Sequence, residues 1–141
     1  MKSSNLFSEF TIKDTKFRNR IVLSPMCQYK ASKGYIDDWH IQHYSRFAFS
    51  GLGAAFVEAT GVSPQGRITH GCTGIWEDNH IEGLKKITKI FKEYNCVSGI
   101  QLAHAGRKAS FLRPWDGAKP IVDDNGLENK WQTIGPSAIP V

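Results

Sequence analysis

The chain has 141 residues, which is enough for one domain with a sizeable hydrophobic core. A composition that is 40% hydrophobic and 22% charged is typical of soluble globular proteins and excludes the disordered and fibrous classes. The formal net charge of +5 could indicate a nucleic-acid partner. The densest basic cluster, however, falls on the polar side of a predicted helix without interleaved aromatic residues, which favours a solvated face and no nucleic-acid partner. Its members are Lys85, Lys86, Lys89 and Lys92.

The cysteines and the N-terminal residues bear on the cellular compartment. The three cysteines, Cys27, Cys72 and Cys96, form no CxxC pair, and their odd number fits a reducing environment. Cys72 and Cys96 are expected to be inert. The first residues lead into no apolar segment of the kind a signal peptide needs, and no apolar run approaches the ~18 residues of a membrane span. We therefore expect a cytoplasmic protein with no membrane partner.

The predicted elements begin with a short hairpin over residues 10–12 and 15–17, joined by a Lys-Asp turn. An apolar strand follows over residues 21–24 and ends at Pro25, because proline cannot donate a hydrogen bond to a sheet ladder.

A helix is predicted from Trp39 to about Ser50, with Asp37 or Asp38 as its N-cap. Gly51 suits the position after the helix, where a left-handed backbone is common. The run over residues 54–59 then predicts a second strand.

A second helix is predicted from about Asn79 to Tyr94, capped by Asp78. A third strand follows over residues 97–103. Strands without in-out alternation, separated by amphipathic helices, predict a parallel sheet that is buried on both faces. The buried stripe of the second helix is predicted to be Ile81, Leu84, Ile87, Phe91 and Tyr94.

The spacing of the strands favours a barrel. The strand ends near Ser24, Ala59 and Gln101 are 35 and 42 residues apart, against about 31 per unit in a (β/α)8 barrel, whose units often carry insertions. An open doubly wound sheet fits the same rhythm, but no GxGxxG follows the first strand. Residues 110–141 show no helical period and are predicted to form a long loop over one end of the sheet, where barrel active sites lie.

Several segments carry a resemblance to a known family. Residues 24–29, with the sequence Ser-Pro-Met-Cys-Gln-Tyr, are similar to a flavin-binding segment of the Old Yellow Enzyme family. Residues 57–67 and 99–108 resemble the flavin-site segments at the next two strand ends, and the connecting segments 39–44 and 74–78 match as well. The resemblance covers essentially the whole chain.

The thiol at Cys27 and the segment 113–117 resemble the bacterial xenobiotic-reductase branch of that family, whose members are FMN-dependent ene reductases. The resemblance implies that residues 1–141 are a partial FMN-binding domain: an N-terminal hairpin and about three βα units of a (β/α)8 TIM barrel. The long loop 110–141 would cover the active-site face. The implied reaction uses NAD(P)H to reduce FMN and then delivers hydride to the β-carbon of an activated alkene, such as an α,β-unsaturated carbonyl. The complete enzyme is expected to be a homo-oligomer acting on a small molecule.

The resemblance also implies site residues by position. Tyr29 and Cys27 are the implied catalytic residues: Tyr29 hydrogen-bonds the substrate carbonyl, and Cys27 adjusts the flavin potential. Ala59 leaves room beside the flavin ring, and Gln101 offers both a donor and an acceptor to its pyrimidine edge. Each has a structural alternative as an ordinary packed side chain. The implied cofactor-binding residues are Ser24, Pro25, Met26, Cys27, Ala59 and Gln101.

The histidines have less specific interpretations. His40 and His43 lie three residues apart on a predicted helix, but no third ligand is placed, so a structural or capping role is favoured over a metal site. His104, with Arg107 and Lys108, could face an anion or could anchor a loop.

The sequence stops before the later strands of a family barrel. The resemblance implies that those strands hold the histidine pair or His/Asn region that grips the substrate, and the arginine and glycine-rich turns that bind the FMN phosphate. The chain is therefore expected to be the N-terminal portion of an FMN oxidoreductase. The alternative is a non-catalytic truncated fragment, or a half-barrel that needs a separate partner chain.

Overall fold

Three parallel strands form the sheet that carries the candidate site, with the strand over residues 54–61 in the middle. The protein is represented by a computed structural model, which describes residues 4–122 and 129–139. The described residues form an open sheet and do not close a barrel. The strands are β3 (Val22–Leu23), β4 (Ala54–Gly61) and β5 (Val97–Ala103).

The predicted hairpin is confirmed as a separate two-stranded antiparallel sheet. Its strands are β1 (Phe10–Ile12) and β2 (Thr15–Phe17). The rings of Phe10 and Phe17 face each other across the pair and stack with centroids 4.6 Å apart, as cross-strand aromatic pairs favour.

Helix α1 (Asp38–Phe49) crosses from β3 to β4 and begins as predicted. Asp37 is its N-cap, with a carboxylate that accepts the backbone N–H of His40, and the ring of His40 lies 2.6 Å from that carboxylate. His40 therefore has the structural capping role that the sequence favoured. Gly51 follows the helix with a φ of +85°, in the left-handed region expected there.

Helix α2 (Ile81–Glu93) crosses from β4 to β5 but starts later than predicted. Residues Asp78–His80 form a 3₁₀ turn ahead of it, and Asp78 does not act as the cap. The extended backbone conformation that a cap requires falls one residue earlier, at Glu77, whose carboxylate instead accepts a hydrogen bond from the Tyr35 hydroxyl. No helix among the described residues is long and apolar enough to cross a membrane.

The core lies between the helices and one face of the sheet. Tyr44 of α1 meets Phe91 of α2 edge to face with centroids 5.8 Å apart, and both are buried. In the predicted stripe of α2, Ile81 and Tyr94 lie at the helix ends and stay 39% and 37% exposed. The buried members of the core are Leu23, Tyr44, Ala48, Ala55, Val57, Leu84, Ile87, Phe91 and Cys96.

The expectation that the sheet is buried on both faces is wrong for β3 and β5, whereas in the central strand β4 only Phe56 is exposed. Val22 and Phe56 are 45% and 38% exposed on the face away from the helices, and Leu102 of β5 is 61% exposed. Among these residues β5 is an edge strand, because it pairs only with β4.

The chain after β5 packs against the loop after β4. Phe111 bridges to Thr69, and the Trp131 indole donates to the carbonyl of Gln65 at 3.1 Å. Within the predicted loop, residues 123–128 and 140–141 lie outside the described residues.

Candidate functional site

The ends of β3 and β5 meet at one cavity of about 370 Å³ on the uncovered face of the sheet. Parallel strands bring their carboxyl ends to the same edge, which is where α/β proteins place their ligands. The cavity unites three of the predicted cofactor residues, Ser24, Pro25 and Gln101. Its lining is Val22, Ser24, Pro25, Phe56, Ile100 and Gln101.

Phe56 and Gly99 shape the floor of this cavity. A Cβ at Gly99 would lie 2.5 Å from the Phe56 ring, so the ring can rest on the β5 backbone only because that residue is glycine. The Phe56 ring therefore forms a flat floor where it lies against β5.

Ala59 and Gln101 face each other across β4 and β5, because they are paired in register. Ala59 is 9% exposed and its methyl group takes little room. The Gln101 side chain is exposed and forms no hydrogen bond within residues 4–122 and 129–139, which leaves both its donor and its acceptor free.

Cys27 and Tyr29 lie just beyond the cavity and close to each other, while Met26 is 48% exposed. Burial raises the pKa of Cys27 to about 11, with further increases from Cys72 and Glu58. Burial and the neighbouring thiol raise the pKa of Tyr29 to about 12. Both groups are therefore neutral near pH 7 and can donate hydrogen bonds, and Cys27 is not a reactive thiolate.

Tyr29 adopts a left-handed backbone with a φ of +53°, which is uncommon for a residue other than glycine. Gly71 packs directly against it, since a Cβ there would lie 2.3 Å from the Tyr29 carbonyl oxygen. The Tyr29 ring meets Trp115 edge to face at 6.2 Å, and the Lys30 ammonium lies over Trp115 at 5.1 Å. These side chains form a wall beside the phenol.

Gln28 ties the segment to helix α1. Its side-chain oxygen accepts from the Trp39 indole at 3.2 Å, and its amide nitrogen donates to the Met26 carbonyl at 2.8 Å. The turn after β3 is thus held from the helix side as well as from the sheet.

Glu58 is the site residue that sequence reasoning missed. It is fully buried at the centre of β4, and its Oε2 accepts the backbone N–H of Gln28 at 2.8 Å. Burial raises its pKa to about 7, against the opposing effect of hydrogen bonds from Gln28 and Tyr44. A lone carboxylate inside the apolar run 54–59 was the available signal, because such a group is costly to bury without partners.

The remaining candidates have structural roles. His104 accepts the backbone N–H of Gly106 at 3.1 Å, which fits the loop-anchoring alternative. Burial raises the pKa of both Cys72 and Cys96, so these thiols are neutral, as expected of inert residues. Over residues 4–122 and 129–139, no group of three or more potential ligand side chains could hold a metal ion.

Comparisons with known proteins place these features in a family. The model of the NADH:flavin oxidoreductase / NADH oxidase family matches residues 5–130. An NADPH dehydrogenase of Bacillus subtilis is 51% identical over 106 residues, covering 74% of this chain and 31% of that protein. An NADH:flavin oxidoreductase of Gibberella zeae is 47% identical over 113 residues, covering 80% of this chain and 27% of the relative.

Solved structures agree with the fold. The Old Yellow Enzyme from Pichia sp. AKU4542 superposes with a TM-score of 0.70 at 26% identity, over 75% of this chain and 28% of that one. Morphinone reductase in complex with tetrahydroNAD gives 0.74 at 20% identity, over 96% and 42%. The chain thus spans about a third of the length of the curated relatives and corresponds to the N-terminal part of a TIM barrel. With residues 5–130 matched, it belongs to the NADH:flavin oxidoreductase / NADH oxidase family.

Proposed function

We propose that this chain supplies one wall of the FMN site of an NAD(P)H-dependent ene reductase. The observation that carries the proposal is the cavity that joins Ser24, Pro25 and Gln101 at the carboxyl ends of β3 and β5. The family match and the curated NADPH dehydrogenase relatives support FMN as the cofactor and NAD(P)H as the reductant.

The residues present fit a planar cofactor with a polar edge. Ala59 is small and lies opposite Gln101 in the sheet, so a flat ring can approach the strands at this pair without meeting a large side chain at position 59. The free amide of Gln101 matches an edge with both donors and acceptors. The segment Ser24–Cys27, including Met26, would border the ring from the β3 side. The chemistry that FMN supplies when bound is hydride transfer from NAD(P)H to an electron-poor alkene.

Tyr29 and Cys27 take the proposed catalytic roles. The neutral Tyr29 hydroxyl would donate a hydrogen bond to the carbonyl oxygen of an enone, where negative charge builds up during reduction. The neutral Cys27 thiol would act as a weak donor beside the cofactor and tune its potential without attacking it.

The rest of the site would come from segments beyond this chain, because the matched region covers only 27% and 31% of the two relatives. Those segments would complete the phosphate-binding and substrate-binding walls. A homo-oligomer of the complete protein and a cytoplasmic location remain part of the proposal.

A graft tests this function directly. The matching segment of the B. subtilis NADPH dehydrogenase is replaced by the corresponding residues of this chain, and the purified hybrid is assayed for bound FMN by its visible spectrum and for NADPH-dependent reduction of an enone. We expect a yellow, active hybrid. A folded hybrid that retains no FMN would contradict the proposal, and the same graft with Ala59→Trp, which blocks the ring position, is the matched negative control.

The second candidate function is a non-catalytic chain that assembles with a separate partner. The exposed apolar face at Val22 and Phe56 favours it, because such a surface needs cover. The graft distinguishes the two: a folded hybrid that retains no FMN favours the non-catalytic alternative, whereas a yellow, active hybrid contradicts it.

A further inference from the structure

We propose that Glu58 is the positioning residue of the segment 24–29, with a buried side chain that fixes the turn carrying the Cys27 thiol and the Tyr29 hydroxyl. The inference rests on the proposed function, because the placement of these two groups matters only beside a bound cofactor and substrate.

An irregularity in the sheet places Glu58 for this role. Val57 pairs with Ile100, and Ala59 pairs with the next residue, Gln101, so Glu58 is an extra residue without a partner in β5. A bulge of this kind turns a side chain away from its usual face. The Glu58 side chain points into the interior, where its exposure is 0%.

One carboxylate oxygen holds the turn after β3. Oε2 accepts the backbone N–H of Gln28 at 2.8 Å, across 30 residues of sequence, and the backbone of Tyr29 also favours the ionised form. These amides lie between Cys27 and the left-handed Tyr29. A non-glycine residue in that conformation needs its surroundings to hold it there, and the buried acceptor supplies such a restraint.

The other oxygen is held by helix α1. The Tyr44 hydroxyl donates to Oε1 at 3.4 Å and accepts the backbone N–H of Glu58 at 2.8 Å. His40 Nε2 lies 3.5 Å from Oε1, and its ring is fixed from the far side by Asp37. The carboxylate therefore connects the start of α1 to the turn after β3 through the middle of β4.

The charge of Glu58 has a second effect on the same turn. An ionised carboxylate disfavours a nearby thiolate, and Glu58 is one of the groups that raise the pKa of Cys27. Since the pKa of Glu58 is about 7, this effect is present above neutral pH and fades below it. The titratable groups around Glu58 are Asp37, His40 and Tyr44 from α1 and its cap, Cys27 and Tyr29 from the turn, and Cys72 from the loop after β4.

Alkylation of Cys27 by iodoacetamide, in the chain without flavin, measures both the restraint of the turn and the effect of the Glu58 charge on the pKa of Cys27. Cys27 is half-buried, whereas Cys72 and Cys96 are only 1% and 4% exposed, so we expect them to react more slowly. Glu58→Gln keeps the shape and an acceptor but removes the charge. Glu58→Asp keeps the charge but shortens the reach to Gln28.

For Glu58→Gln we expect a lower pH midpoint of alkylation, seen as a roughly threefold to tenfold faster reaction below the midpoint. For Glu58→Asp we expect the parent midpoint but a faster plateau rate, because the turn is released. Thr60→Val is the matched control: Thr60 is equally buried on β4 and bonds the Glu58 carbonyl and Thr73, away from the turn. It should change neither the midpoint nor the plateau.

An unchanged plateau rate in Glu58→Asp, or the same increase in Thr60→Val, would overturn the inference. Either result would leave the proposed function standing, since the graft assay does not depend on it. Conversely, a graft that fails to bind FMN would remove the proposed function while the alkylation result still measured the position and charge of Glu58.

Discussion

The two faces of the parallel sheet differ in what covers them. Helices α1 and α2 bury one face under Tyr44, Ile87 and Phe91, which are at most 1% exposed. The other face leaves Val22 and Phe56 partly open around the cavity. Stability and ligand recognition therefore depend on different faces of the sheet. The face packed against the helices stabilises the strands, and the open face presents Ser24 and Gln101.

Matched substitutions of phenylalanine on the two faces give the largest expected difference. Phe91→Ala should lower the free energy of unfolding by about 3 to 5 kcal/mol, because it leaves a cavity in the packed core. Phe56→Ala should cost about 1 to 2 kcal/mol, since its ring is 38% exposed. Urea denaturation followed by circular dichroism measures both. Equal losses would mean that the two faces contribute alike to stability.

The buried carboxyl of Glu58 makes the free energy of unfolding depend on pH. Its pKa rises from 4.5 to about 7 on folding, so the folded state binds the proton more tightly than the unfolded chain. This contribution to stability is complete below about pH 4.5 and is lost as the pH rises through 7, a change of up to about 3 kcal/mol. Denaturation at pH values across this window should show the parent losing stability relative to Glu58→Gln. If the free energy of unfolding changed with pH in the same way for both proteins, the raised pKa of Glu58 would be contradicted.

Much of this arrangement was predictable because its causes are local. The hairpin, a cap of α1 at Asp37 or Asp38 and the strand predicted over 54–59, which extends to Gly61, follow from turn residues, capping chemistry and apolar runs that lie close together in sequence. The convergence of Ser24 and Gln101 follows from the same elements, since parallel strands must end at one edge.

The parts that were not predictable depend on distant partners. The bulge at Glu58 exists only relative to the register of β5, and no pattern within 54–61 encodes it. Ahead of α2, Glu77 is engaged by Tyr35, 42 residues earlier, and no local pattern reveals that contact. The exposure of β5 depends on which elements cover it, and its own apolar composition does not reveal that.

Tyr29→Phe tests the catalytic role proposed for the Tyr29 hydroxyl. In the graft, loss of the hydroxyl should lower the rate of enone reduction roughly a hundredfold, because a donor to the developing oxyanion is removed. The NADPH-consuming half-reaction should be unaffected, and stopped-flow measurement of each half-reaction separates the two. Trp115→Phe, beside the same ring, is a control that keeps the aromatic wall. Equal slowing of both half-reactions would argue against a substrate-specific role for Tyr29.

Gln101→Ala gives the smallest expected effect and the sharpest test of the open face. Its side chain is exposed and forms no hydrogen bond among residues 4–122 and 129–139, so its removal should leave the free energy of unfolding nearly unchanged. In the graft, the loss of a hydrogen bond to the cofactor should weaken FMN binding about fivefold to tenfold, corresponding to about 1 kcal/mol. Fluorescence titration with FMN measures this change, with denaturation of the same protein as the control. A loss of stability without a change in FMN affinity would assign Gln101 to the scaffold, whereas the reverse result would show that recognition on this face is independent of the helix-covered core.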